Sequence, residues 1–264
     1  MAITGTGTQV DPYVVTTWDE LVSKAAESGK YVKLGADIDM NDEYPEGITT
    51  YCTLNCAELD GDGKAIKNLA INGVSCVFKA GSNNVDVKNI KIENLYFIST
   101  SGSKYFIDNS TKKATFTQLS VSGRFSAPQQ GSLVCIFKGD TNFYRCAFNL
   151  KTQGRYRNNE ENNLFKLHYC NITINGEGTG KMYFVFDNTY VTGAMTGIDS
   201  VFVVQGSSVG VIDMTCGAVN GDYDASLVLA NSDKCNSITK ARAVTTAQLT
   251  NAEYLSSIGF PIQT

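Results

Sequence analysis

Short alternating triplets recur through the middle of this chain: Leu69-Ala70-Ile71, Ile90-Lys91-Ile92, Leu119-Ser120-Val121, Cys146-Ala147-Phe148 and Ile172-Thr173-Ile174. Apolar residues at i and i+2 around a central residue predict half-buried strands. A second phrase accompanies them: a β-branched or aromatic doublet, then a polar residue and, in most copies, small turn formers. It occurs at Val77-Phe78-Lys79, Phe106-Ile107-Asp108, Ile136-Phe137-Lys138, Leu164-Phe165-Lys166, Val185-Phe186-Asp187, Val203-Val204-Gln205 and Val228-Leu229-Ala230. The second apolar residue falls at 78, 107, 137, 165, 186, 204 and 229, so the mean step is (229 − 78)/6, about 25 residues. A period of this size marks stacked units that bury their apolar faces only against neighbours.

Polar residues precede many of the triplets, as at Asn68, Asn89 and Gln118, and Gly or Asn follows at Asn72-Gly73, Asn94, Gly123 and Asn175-Gly176. Such residues tolerate the positive φ of a sharp corner. Strand, corner, strand and a loop of variable length describe an all-β chain, a parallel β-helix solenoid with short helical caps at both ends. A leucine-rich repeat needs a stricter leucine frame, and a propeller blade needs about 40 residues. The doublet residues Phe78, Ile107, Phe137, Phe165, Phe186, Val204 and Leu229 are expected to point inward and stack along one side.

The run Leu59-Asp60-Gly61-Asp62-Gly63-Lys64-Ala65-Ile66-Lys67-Asn68-Leu69 resembles the opening segment of many right-handed parallel β-helix proteins of the pectate-lyase-like superfamily. The resemblance covers roughly residues 30 to 235. It implies the fold far more than an activity, because that superfamily hosts lyases, hydrolases, adhesins and viral spikes.

Three segments follow. Residues 1–50 form an N-terminal cap and first coil, with a helix over 17–28: Thr17 and Glu20 make a capping box, Leu21, Val22 and Ala25 share a face, and Gly29 ends it. Trp18 is expected to pack on this lid. Residues 51–240 are the solenoid. Residues 241–264 are a C-terminal cap or docking segment, helical over 246–257 with Leu249, Ala252 and Leu255 as its apolar face.

A formal charge of −4, from 22 basic and 26 acidic residues, provides no basic stripe for nucleic acid. No run of 18 apolar residues predicts a membrane span. Met1 to Thr8 has neither a charged n-region nor an apolar h-region, so export by the usual route is not expected. Cys76, Cys135, Cys146 and Cys170 sit at core-facing positions in or beside strands, and the eight cysteines are expected to be free, buried thiols.

Candidates for chemistry are sparse. The single histidine, His168, has no partner pattern for a nucleophilic triad and reads as structural. Cys52 and Cys56 supply only two ligands, so zinc is not expected. Asp37, Asp39, Asp42, Glu43, Glu58, Asp60 and Asp62 are the acidic candidates, since β-helix lyases hold calcium by carboxylates and β-helix hydrolases pair them. Asp60-Gly61-Asp62-Gly63 lacks a downstream bidentate Glu and reads as a turn. The resemblance to lyases also implies a basic residue beside the carboxylates, whereas the arginines stand at 124, 145, 155, 157 and 242, away from them in coil order. No catalytic residue, metal or cofactor is therefore expected. The run from Gln153 to Asn163 reads as a projecting loop, with Arg155, Tyr156 and Arg157 as surface binding candidates.

A β-helix without an export signal or a catalytic cluster looks like a structural virion surface protein of a tailed bacteriophage, a capsid-decorating or head fibre or a short tail appendage. The expected setting is a homotrimer assembled in the host cytoplasm, contacting other virion proteins and host-surface carbohydrate. The alternative is a carbohydrate-active enzyme or sugar-binding module acting on an acidic polysaccharide.

Overall fold

The structure, a computed structural model, describes residues 3–43, 46–71, 73–98, 103–109, 114–127, 133–138, 141–158, 165–204, 209–221 and 227–260. It is an all-β chain whose named strand pairings are all parallel, consistent with a parallel β solenoid. Parallel pairing cannot be made by a tight hairpin, so each strand's partner comes from a later turn of the chain. Among the described residues no helix is long and apolar enough to cross a membrane.

Three ladders organise the strands. The first begins with Tyr13–Val15, Tyr31–Leu34, Glu58–Asp60, Val85–Lys88, Ala114–Thr117, Thr141–Tyr144 and Phe165–His168. Its register aligns Val32, Leu59, Val87, Phe116, Phe143 and Leu167, all buried. The second ladder carries four of the five alternating triplets, whereas Ala70 and Ile71 of the first pair with Tyr96 and Phe97 instead. It aligns Ile38, Ile66, Ile92, Val121, Phe148, Ile172, Val191, Ile212 and Ala230 in one unbroken apolar file. A third ladder joins Cys52–Leu54, Cys76–Ala80, Ser103–Asp108 and Leu133–Lys138, placing Cys52, Phe78, Ile107 and Phe137 in register. Burying a side chain of this size is worth about 1.5–3 kcal/mol.

The aromatic members connect the files across the interior. Trp18, Phe78, Phe106, Phe116, Phe143 and Phe148 follow one another at ring-centroid separations of 6.4, 5.5, 6.4, 5.1 and 5.2 Å. Trp18 is thereby core, fixing the N-terminal helix to the first coils.

The corner between the first and second ladders explains the polar residues before the triplets. Asn89, Gln118, Arg145, Tyr169 and Asn188 occupy it in successive coils, with φ of 54°, 55°, 53°, 55° and 43°. Asn68, Asn94 and Gly73 also have positive φ, as expected. Gly123 and the Asn175-Gly176 pair do not appear among the positive-φ residues: Gly123 is needed for closeness instead, since a Cβ there would lie 2.3 Å from the Leu95 carbonyl oxygen. Asn175 and Gly176 lie inside one continuous strand, Asn171–Asp187, paired on both sides.

The doublet repeat is correct for its first three copies and misaligned afterwards. Phe78, Ile107 and Phe137 share a register, but Phe165 pairs with Thr141 in the first ladder, and Phe186 pairs with Leu167. Leu229 pairs with Val211 and belongs to a separate apolar cluster with Val209, Val244, Leu249, Leu255 and Phe260. Phe78, Ile107 and Leu229 are buried; the side chains of Phe137, Phe165, Phe186 and Val204 lie outside the described residues. The phrase recurs because both residues of a doublet can be buried, so similar local sequence arises on different ladders.

Helix α1 spans Trp18–Ala25, shorter than 17–28, with the Thr17 side chain accepting from the Glu20 N–H at 3.3 Å. The reciprocal half of the box is displaced by one residue, since Glu20 Oε2 accepts from the Thr16 N–H at 2.8 Å. After a short α2, Met40–Glu43, the next helices are at the other end. The expected single helix over 246–257 is two: α3, Thr246–Leu249, and α4, Ala252–Ser257. Thr245 and Asn251 each start a helix by accepting a backbone N–H, so α3 ends at Thr250 and Asn251 opens α4 directly after it. Leu249 and Leu255 are buried in the cluster under the last strands, while Ala252 is exposed. Within this chain, the segment covers the C-terminal strands.

Candidate functional site

The outward side chains of the first ladder form two stripes, because successive residues of a strand point to opposite faces. One runs Lys33, Asp60, Lys88, Thr117, Tyr144 and His168, each paired with the next. The other runs Tyr31, Glu58, Asp86, Thr115 and Asn142. The N-terminal part of the face is a lattice of ions. Lys88 Nζ lies 2.8 Å from Glu58 and 3.6 Å from Asp60, and Lys33 Nζ lies 3.1 Å from Asp62.

The acidic candidates are thus tied to structural partners. Asp60 Oδ1 accepts from the Asp62 N–H at 2.8 Å and from Asn89 at 3.1 Å, and Asp62 and Gly63 have positive φ, so this segment is the turn the sequence predicts. Asp37 accepts from the Ala65 N–H and pairs with Lys67 at 2.6 Å; these bonds hold its carboxyl below the usual range. Asp39 is lowered by the Asn68 amide and the Asn41 N–H, and Glu43 accepts from the Trp18 N–H. The Asp42 side chain lies outside the described residues. Cys52 and Cys56 are buried, and burial pushes the Cys56 thiol up to about 12. Among the described residues, no group of three or more His, Cys, Asp or Glu is placed to hold a metal ion.

Further along the same face the ions give way to rings. Tyr144 and His168 stack at 4.5 Å with 12° between their planes. Arg145 and Tyr169 follow them at the corner, and Tyr144 and Tyr169 are 40% and 47% exposed. Two consecutive coils therefore present an aromatic or imidazole ring and a corner side chain at equivalent positions. Underneath, Cys146 and Cys170 fill the inner side of the corner. The Cys146 Sγ donates to the Tyr144 and Phe116 carbonyls, and the Cys170 Sγ to those of His168 and Phe143. Desolvation raises the Cys146 thiol, so it stays protonated and acts as a buried hydrogen-bond donor.

A second polar cluster lies on the outer side of the second ladder near the C-terminus. Asp213 accepts from Lys234 at 2.6 Å, from Asn231 at 2.8 Å and from the Tyr190 hydroxyl at 3.3 Å. Burial acts to raise its carboxyl, but the Lys234 and Asn231 bonds outweigh it and hold it below its ordinary 3.8. The Tyr190 phenol is pushed up to about 12, first by burial and then by Asp213. A depressed folded-state value contributes stability above the unfolded value that is lost as pH falls through the folded one. Wild type is thus expected to lose stability below about pH 4, and Asp213→Asn to lose less over that interval. Thermal melts of both proteins between pH 7 and pH 3 check this.

The sequence-predicted binding residues are placed differently. Gln153 to Asn158 belong to the strand Ala147–Asn158, with Arg155, Tyr156 and Arg157 paired to Thr179, Gly180 and Lys181. They are not on a projecting loop: neighbouring strands satisfy this backbone, and tertiary pairing overrides a polar composition. Their side chains, and residues 159–163, lie outside the described residues. The patch at Tyr144, Arg145, His168 and Tyr169 was missed in the sequence as a site. Its signal is the matched pair Tyr144-Arg145-Cys146 and His168-Tyr169-Cys170, whose cysteines align in register only once the coils are known.

No protein-family model matches the chain, and no curated protein matches it. Among solved structures, one described as a "putative immunoglobulin A1 protease" from Bacteroides ovatus is similar at 17% identity. The similarity covers 96% of this chain and 88% of that one, with a TM-score of 0.48. At that score it assigns no activity here.

Proposed function

We propose that this chain is a non-catalytic surface protein that contacts carbohydrate through the outer face of its first ladder. The carrying observation is the exposed stack of Tyr144 on His168 with Arg145 and Tyr169 beside it. Flat rings held in a fixed orientation offer apolar area to a sugar ring at little entropic cost, and Arg is favoured beside Tyr at binding surfaces. Glu58 and Asp60 on the same face are engaged by a lysine, an amide and a backbone N–H, which supports binding over acid–base chemistry. The finer fold reading is a right-handed parallel β-helix, the hand strongly preferred for crossover connections between parallel strands.

The setting we propose is the virion surface of a tailed bacteriophage, as a decorating protein, head fibre or short tail appendage assembled as a homotrimer in the host cytoplasm. The core thiols at Cys146 and Cys170, built into the corner as hydrogen-bond donors, support assembly in a reducing compartment. A sugar-binding module outside a virion would use the same patch.

Binding to bacterial capsular and cell-wall polysaccharides tests the reading. Tyr144→Ala is expected to weaken binding about tenfold, the scale of losing a central aromatic contact. Tyr169→Asn separates recognition from folding. Asn tolerates the left-handed corner that costs other residues about 1–2 kcal/mol, so this variant should melt no lower than wild type while binding more weakly. Unchanged affinity in both variants would reject the patch. Release of unsaturated or reducing ends from pectin-like or capsular polysaccharide would move the protein to the enzymes, and a monomer that does not associate with phage particles would reject the virion setting.

A further inference from the structure

Cys216 and Cys235 stand apart from the other described thiols. They are parallel-bridge partners, Cys216 directly after the strand Val209–Thr215 and Cys235 on the turn after Leu227–Asn231. Their sulfurs are 3.4 Å apart. Partner residues of adjacent strands are separated by about 4.8 Å, within the span that a disulfide bridges without backbone movement. Cys216 is buried, whereas Cys235 is half-buried and reachable from solvent. Lys234, beside Cys235 in sequence, is anchored on Asp213.

We propose that Cys216 and Cys235 form a redox-closable pair, oxidised by exchange with a small-molecule disulfide, that staples the last coils of the solenoid together. The step balances as two exchanges. The Cys235 thiolate attacks one sulfur of the reagent RSSR, forming a mixed disulfide and releasing RS⁻. The Cys216 thiol, giving up its proton, then attacks the Cys235 sulfur and releases the second RS⁻. Two protein thiols are oxidised and one reagent disulfide is reduced to two thiols.

The order of attack follows from exposure and charge. The hydrogen bond from Cys216 holds the Cys235 thiol below its ordinary value against the opposing effect of burial, and Lys234 adds to the lowering. A low-lying, accessible thiol beside a resolving cysteine is the arrangement that reacts first. Cys146 and Cys170 are fully enclosed and raised or engaged by carbonyls, so they are not competitors. The bridge would close the span between residues 216 and 235, where the strand ladders reach their end and fraying costs least. The pair is independent of the carbohydrate reading above.

The experiment is incubation of the native full chain with oxidised glutathione, followed by alkylation and peptide mapping. Wild type is expected to lose two alkylatable thiols and yield a Cys216–Cys235 cross-linked peptide that dithiothreitol reverses. Cys216→Ser should stop at one glutathione on Cys235, and Cys235→Ser should leave Cys216 unmodified. Before oxidation, Cys235 should alkylate at least about tenfold faster than Cys146 or Cys170. The proposal is overturned if both thiols remain alkylatable in wild type, if the cross-link joins two chains, or if Cys235 stays unmodified in Cys216→Ser.

Discussion

Replacing Phe143 with alanine is expected to lower the stability of this protein by about 3–5 kcal/mol, the usual cost of emptying a core phenyl site. Phe143 is fully buried, stacks on Phe116 at 5.1 Å and 18°, and meets Phe148 edge-on at 5.2 Å. The backbone around the cavity is held by strands on both sides, at Phe116 and Leu167, so it has little room to collapse. Phe143→Leu, which keeps most of the volume, should lose less than half as much. Urea midpoints measured by fluorescence and circular dichroism check both variants. A loss below about 1 kcal/mol for Phe143→Ala would show that this ring is not part of a packed spine.

Gly193→Ala is expected to be comparably damaging, at about 3 kcal/mol or more, for a different reason. Gly193 has φ of +124°, a region that L side chains rarely adopt. A Cβ there would lie 1.9 Å from the carbonyl oxygen of Ile174, its partner on the adjacent strand, and 2.7 Å from the carbonyl carbon. Backbone cannot rotate away as a side chain can, so the ladder itself would have to part. Gly63→Ala is the control. That glycine also has positive φ, at +75°, but open space where the methyl would go, so it should lose only about 1 kcal/mol. Equal losses at the two positions would place the whole effect in φ and none in the close approach.

Both predictions depend on register, and register was only partly legible in the sequence. The alternating triplets are legible because each occupies one ladder and because a strand with one buried face declares itself by period two. Four of the five triplets, ending at Ile92, Val121, Phe148 and Ile174, have both apolar members buried along the second ladder and its corner. The corners at Asn68, Asn89 and Asn94 are legible because Asn is among the few residue types that accept a positive φ at little cost. Arg145 and Tyr169 occupy the same corner in violation of that preference, and nothing local marks them. Their conformation is imposed by the coils before and after, where the Arg145 N–H donates to the His168 carbonyl at 2.9 Å.

The doublets mislead for the complementary reason. A pair of adjacent apolar residues carries no period, so it cannot report which ladder it belongs to, and Phe165 and Leu229 were aligned with the wrong neighbours. The polar run at Gln153 to Asn158 misleads because a strand between two paired strands needs hydrogen-bond partners more than apolar side chains.

By itself, then, the amino-acid sequence determined an all-β chain of repeating short strands, its helical ends, the buried alternating triplets and the turn at Asp60 to Gly63. Those are properties of local period and local backbone preference. Only the tertiary structure decided which coil stacks on which. That choice stacks Tyr144 on His168, sets the Cys216 and Cys235 sulfurs 3.4 Å apart, and brings Asp213 to Lys234 across 21 residues. Each pairing crosses from one coil to the next, and the distance between such residues is set by ladder register, a long-range quantity that no window along the chain contains.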